Sequence, residues 1–217
     1  MSGTMTWLNA HWDKVTTLSV QHLYLALIPV LIGLVIAIPL GWIATRSRVL
    51  RNVFFYVFGF LYSIPSLALL IVIPVILGTK VLDPLNLMIP LTIYAIALLV
   101  RSVVDALEAV PWHVRAAATA MGFRSLHRFF AVDLPMSVPV LIAGLRVAAV
   151  SSISLVSVGA LIGLSGLGDL FIEGEQSPGF VGEIVIGIIA TLVLALITDA
   201  VLVLIGRLTT PWTRVGG

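Results

Sequence analysis

Two ionisable residues, Arg146 and Asp199, stand inside long apolar stretches. Ionisable groups in a hydrocarbon environment are costly, so they are normally paired or functional. Arg146 lies 11 residues after Pro135 and Asp199 eight before Arg207. At about 1.5 Å per helical residue, both sit roughly 12 to 17 Å from the same end of their helices. The matched depths predict an intramembrane Arg146–Asp199 ion pair; the alternative is Asp199 facing a cationic solute. Little else is arranged for covalent or metal chemistry. The chain has no cysteine, which excludes disulfides, zinc-thiolate sites, iron–sulfur clusters and a thiol nucleophile. His11, His22, His113 and His127 lack metal-ligand spacing, so no metal site and no catalytic residue is expected. No G-x-x-x-x-G-K-[ST] phosphate loop occurs, and Gly163, Gly166 and Gly168 are followed by Asp169 with no lysine, so the chain itself is expected to bind no cofactor and to hydrolyse nothing.

The elements that would position such a pair are membrane helices. Of the 217 residues, 60% are hydrophobic and only 10% charged, against about 25% charged in a soluble domain. A net charge of +2 offers no polybasic surface, which argues against nucleic acid. Uncharged runs define five spans, at about 20–44, 53–78, 86–104, 136–163 and 184–208. They are continuous apolar runs and not alternating strands, so a barrel is excluded. Arg46, Arg48, Arg51, Arg101, Arg115, Arg124, Arg128, Arg207 and Arg214 collect on one side, while Asp13, Asp83, Asp169, Glu173, Glu175 and Glu183 collect on the other. Basic loops mark the cytoplasmic side, so the N-terminus is expected outside and the C-terminus inside. No signal peptide is read at the start, which lacks a basic n-region.

Residues 1–19 precede the 20–208 membrane domain, with Trp7, Leu8, Trp12, Val15 and Leu18 spaced as one face of an amphipathic helix at the outer interface. Residues 209–217 form a short tail. Gly159 and Gly163 make a small-x-x-x-small pair that permits close helix approach, with Gly163, Gly166, Gly168 and Asp169 forming an outer loop or gate. The segment 105–135 is the long loop. Its stretch from His113 to Met121 is rich in alanine and favours helix, and Gly122 suits a left-handed helix end. A second helical stretch, Phe123 to Val132, leads to Leu134-Pro135.

That loop resembles the EAA loop of ATP-binding-cassette importer permeases, in Ala116-Ala117-Ala118, Gly122, Val132 and Leu134-Pro135 at the motif's spacing. Further stretches look like the osmoprotectant branch of that family: Gln21-His22-Leu23, Ile38-Pro39-Leu40-Gly41, Ile64-Pro65-Ser66-Leu67, Ala143-Gly144-Leu145-Arg146 and Gly163-Leu164-Ser165-Gly166-Leu167-Gly168-Asp169. One departure stands out: Ala116 occupies the position of the motif's glutamate. Either docking relies on shape and on Arg115, Arg124 and Arg128, or this chain pairs with a second permease that keeps the glutamate.

The resemblance implies an all-α, five-span, type I (MetI-like) permease fold in the bacterial inner membrane. It implies a cytoplasmic ATPase dimer carrying ATP and Mg, a second identical or different permease, and an extracytoplasmic substrate-binding protein. The ATPase contact would fall on Arg115, Ala116, Ala117, Ala118, Gly122, Phe123, Arg124, Leu134 and Pro135. The implied cargo is a quaternary ammonium osmoprotectant such as glycine betaine, carnitine, choline or proline betaine, with another small polar solute, such as an amino acid, as the alternative. A quaternary nitrogen has no N–H, so aromatic faces attract it by about 0.5–2 kcal/mol each. Tyr62, Ser63, Pro65, Ser66, Tyr94, Ser151 and Ser154 are the candidate path residues. A secondary transporter and a membrane scaffold are the alternatives outside this class.

Overall fold

The structure is a computed structural model and describes residues 2–80, 82–176 and 181–214. Residue 1 of the opening segment and residues 215–217 of the tail lie outside the described residues. The described chain is helical: α1 (Ser2–Ala10), α2 (Trp12–Ala44), α3 (Arg48–Ser63), α4 (Ser66–Leu77), α5 (Leu85–Glu108), α6 (Trp112–Ala120), α7 (Ser125–Arg128), α8 (Leu134–Gly159), α9 (Asp169–Gln176) and α10 (Gly182–Thr209). Among the described residues four helices are long and apolar enough to cross a membrane, and a fifth crossing exists if α3 and α4 are counted together.

That pair occupies the region of the span expected at 53–78. It is bent by 92° where Ile64 meets Pro65. Pro65 pushes Ile64 out of the α region, to ψ 130°, and has no N–H to continue the ladder. A hydropathy window cannot see such a break, because both arms are equally apolar. At the other end of α3, Ser47 accepts a hydrogen bond from Leu50 N–H at 3.1 Å, a cap worth about 1 kcal/mol.

The opening segment is also rearranged. Helix breaks at His11, and residues from Trp12 onward already belong to α2. Val15 and Leu18 are therefore not on a separate surface helix; they are buried with Leu167, Leu170 and Ile186, and Trp7 and Leu8 pack on that cluster.

The core is built around α5, which packs on α2, α3, α4 and α8. Close approach of α2 and α5 depends on Gly33 and Gly41, where an added Cβ would lie 2.7 Å from the Ala95 Cβ and 2.5 Å from Val103 Cγ1. One apolar cluster joins Val30, Leu99, Val103, Leu107, Phe129 and Leu141; another joins Leu25, Leu70, Leu87, Leu91, Ile153 and Val156. By contrast α10 shows Ile188, Leu192, Leu196 and Leu204 to the exterior, the exposure expected of a lipid-facing helix.

The charges segregate as the sequence implies. Arg51 pairs with Glu108 at 2.6 Å, and the Arg101 guanidinium lies over the Phe55 ring, which gathers one end of the bundle, here termed the basic end. At the opposite, acidic end, Lys14 bridges α2 to Glu173 of α9 at 2.5 Å.

Candidate functional site

Arg146 of α8 and Asp199 of α10 meet side by side. Arg146 Nε donates to Asp199 Oδ1 at 2.6 Å and Nη2 donates to Oδ2 at 2.7 Å. This bidentate fork is the strongest geometry available to an Arg–carboxylate pair. It fastens two helices that are otherwise joined by apolar contact and by Gly206, whose missing side chain admits Ile142.

The long loop is held by a buried carboxylate that the sequence reading did not single out. Asp133 ends a π-helical turn, Phe129–Asp133, that joins α7 directly to α8, so the run from Ser125 to Ile162 is one 38-residue span. Asp133 is only 5% exposed. It faces Arg115 Nε at 3.4 Å and Arg128 Nε at 3.3 Å. Arg115 also donates to the Leu107 carbonyl at the end of α5, and Arg128 Nη1 donates to Thr119 Oγ1 at 2.9 Å. The buried carboxylate thus draws α6 and α7 together, and it is Asp133 whose removal would leave two guanidiniums facing each other without a counter-charge.

The three arginines expected at the ATPase contact have different surroundings. Arg115 and Arg128 are turned into the loop's own structure, and Arg124 is the one of the three that stays exposed. Ala116 and Ala117 are exposed while Ala118 is buried, so α6 offers a smooth strip between Trp112 (79% exposed) and Met121 (70%). Gly122 ends the strip with φ +86° and open space around it. The N–H groups of Gly122 and Phe123 then bond to the carbonyls of Thr119 and Ala118, closing the helix end. Phe123 stacks on His127 at 4.6 Å. Leu134 packs on the core beside Phe129, and Pro135 is the second residue of α8, immediately after the π-helical turn.

The path candidates divide. Tyr62 and Tyr94 form an edge-to-face pair with centroids 5.7 Å apart, and the Tyr94 hydroxyl donates to the Ile64 carbonyl freed by the bend at Pro65. Ser151 lines the same small space with Ser152, whose hydroxyl donates to the Ala26 carbonyl of α2. The space is about 10 Å³, room for a single water. Ser63 and Ser66 flank the bend, Ser63 donating back to the Gly59 carbonyl. Ser154 stands apart: it is exposed and lines the α8–α10 seam near Asp199.

At the acidic end the glycine loop has a pin that sequence reasoning missed. His22 is fully buried; its Nε2–H donates to the Ile153 carbonyl at 2.8 Å, and its Nδ1 accepts from Leu167 N–H at 3.2 Å. One neutral imidazole thus ties α2, α8 and the loop. A lone imidazole in an uncharged apolar run was the available signal. Gly166 suits the contact: a Cβ there would lie 3.2 Å from His22 Nδ1, so the ring would have to give by a few tenths of an ångström. Gly163 does not extend a helix–helix stripe with Gly159: it ends a 3-10 turn at φ +81°, while Gly159 alone admits Leu87. Gly168 has the Ser157 carbonyl against it, and Asp169 opens α9. Burial pushes the Asp169 carboxyl above the ordinary aspartate range, Glu173 adds to the push, and the Gly166 backbone, Ser165 and Lys14 oppose it.

The sequence pattern of the family described as "Binding-protein-dependent transport system inner membrane component" matches residues 17–210. Among curated relatives, the carnitine transport permease protein OpuCB of Listeria monocytogenes is 30% identical over 80% of this chain and 78% of that protein. The osmoprotectant import permease protein OsmW of Salmonella typhimurium is 31% identical over 73% and 74%. The glycine betaine/carnitine/choline transport system permease protein OpuCD of Bacillus subtilis is 28% identical over 78% and 72%. Among solved structures, an inward-facing form of the MetNI methionine ABC transporter shares the fold, with a TM-score of 0.72 at 24% identity over 97% of this chain and 99% of that one. A spanning helical bundle, an alanine-rich helix mounted on one of its spans, and a match over most of the length agree: the chain belongs to the binding-protein-dependent transport system inner membrane components, the permease subunits of ABC importers, and works as a transport subunit and not as an enzyme.

Proposed function

We propose that this chain pairs with a second permease to import a quaternary ammonium osmoprotectant of the glycine betaine, carnitine and choline type. The observation that carries the mechanical part is the α6 mount. Through Asp133 the exposed strip of α6 is clamped to the foot of a 38-residue helix, so a push on α6 moves a whole span. In this reading the basic end is cytoplasmic, and the strip from Trp112 to Met121 lies in a cleft of an ATPase that holds ATP and Mg. The acidic end, with Asp169 and the Lys14–Glu173 bridge, receives the extracytoplasmic binding protein. ATP binding draws two ATPases together, and the spans switch between two packings as near-rigid bodies. Support for the cargo comes from the names of the relatives and from the Tyr62–Tyr94 pair, whose faces suit a cation lacking N–H donors.

Uptake of labelled glycine betaine into vesicles holding this permease, its ATPase and its binding protein tests the proposal. Uptake should require ATP and be competed by carnitine or choline more strongly than by proline. Uptake without nucleotide, or competition only by amino acids, would overturn it.

A further inference from the structure

Phe55, Phe58, Gly59 and Tyr62 follow one another at the spacing of one helical face and line a cleft of about 120 Å³ between α3 and α5, together with Leu98 and Arg101. Phe55 meets Arg101 and Tyr62 meets Tyr94, so the two helices run in opposite directions and touch in two rungs. Seven residues separate the rungs on either helix, which sets them roughly 10 Å apart. Phe58 and Gly59 fall between them. At the lower rung the Arg101 guanidinium carbon lies 5.1 Å from the centre of the Phe55 ring. Stacking of this kind uses the face of the guanidinium and leaves the N–H donors in its plane for a planar acceptor. Among the described residues no carbonyl or carboxylate takes them. Asp105, one turn further along α5, forms no ion pair with Arg101, and Arg51 and Glu108 at the same end satisfy each other. The cleft thus offers ring faces toward the bend at Pro65 and a held guanidinium toward the basic end. Breaks in spanning helices border solute sites in other transporter folds.

We infer that Arg101 is a specificity-determining residue of the path. It takes the carboxylate of a zwitterionic quaternary ammonium solute whose methylated nitrogen rests on the rings of Phe58 and Tyr62, and so favours glycine betaine and carnitine over choline. Choline carries the same cation but a hydroxyl where the others carry a carboxylate, and a hydroxyl cannot meet a guanidinium in the two-pronged, charge-assisted way. The aromatic end does not separate these solutes, because ring faces respond to the positive charge that all of them share. This inference rests on the quaternary ammonium reading of the cargo and adds to it a choice within that class.

Solute protection of a single cysteine in the permease–ATPase complex tests it. The chain has no cysteine, and a Cβ at Gly59 meets no atom within 4 Å, so Gly59→Cys places one thiol in the wall of the cleft. Labelling of that thiol by N-ethylmaleimide, read from the mass of the permease chain, should be slowed by glycine betaine at a roughly fivefold lower concentration than by choline, the upper end for an exposed charge pair. Acetate should not slow it. Adding Arg101→Gln should make glycine betaine and choline equal, and Arg101→Lys should keep part of the preference. Tyr62→Leu should weaken protection by both solutes alike, and serves if Arg101→Gln fails to assemble. Four results would each overturn the site: equal protection by the two solutes with Arg101 in place, a preference that survives Arg101→Gln, acetate as effective as glycine betaine, or a thiol that stays unlabelled with and without ATP. ATP-driven uptake of glycine betaine without any protection would overturn the site alone, whereas the absence of both would overturn the reading of the cargo as well.

Discussion

Arg146 and Asp199 hold each other by two charge-assisted hydrogen bonds at a depth where neither ion is tolerated alone. Arg146→Asp or Asp199→Arg by itself places two like charges in the seam, each at a cost of about 2.5–3.5 kcal/mol for an unpaired ion in a span. Either single reversal should sharply reduce the yield of assembled complex, and the double reversal should restore it, as read by size-exclusion chromatography; no rescue would contradict the structural role. This pair was legible because helical rise converts sequence distance into depth. Asp133 was not, because its partners Arg115 and Arg128 reach it only through the π-helical turn, which no residue spacing announces. At the acidic end, burial raises the Asp169 carboxyl, so the folded state binds its proton more tightly than the unfolded chain does. That stabilisation is present below the ordinary value of 3.8 and is lost as pH rises through the raised one. Asp169→Asn should therefore melt like the wild type in acid and above it at neutral pH; a gap that shrinks with rising pH would have the sign wrong.

At the scale of elements, α6 is a short helix whose exit angle is set by one glycine. Gly122 has open space around it but φ +86°, which strains a β-branched residue by about 1–3 kcal/mol. Gly122→Val should leave insertion and ATP hydrolysis intact while lowering uptake per ATP several-fold, because the strip is re-aimed relative to α8. Unchanged coupling in paired ATPase and uptake assays would detach α6 from transmission. The helical character of residues 113–121 and the left-handed end were legible, since alanine and glycine act locally. The α3–α4 bend was written in Pro65, yet hydropathy reports burial from water and not direction, so the span at 53–78 was legible as an apolar run but not as two arms at 92°. The break at His11 is likewise silent in the apolar spacing, which runs from Trp7 to Leu18 without interruption.

At the scale of the whole molecule, the bundle has two differently charged ends. His22 pins the loop at the acidic end to α2 and α8, and Asp133 clamps α6 to the foot of α8, so α8 connects both ends. Charge placement made the two ends legible, whereas the small space beside Tyr94 needed the packing of α5 against α8. The central claim is that an ATPase grips the exposed strip of α6. The chain has no cysteine, so Ala117→Cys carries a unique label site on that strip. With benzophenone maleimide on position 117 in the assembled complex, light should produce an adduct with the ATPase subunit that changes in yield when ATP is added. The same label on Ser165→Cys, at the acidic end, should give none. No ATPase adduct from position 117, or an equal one from position 165, would contradict the account.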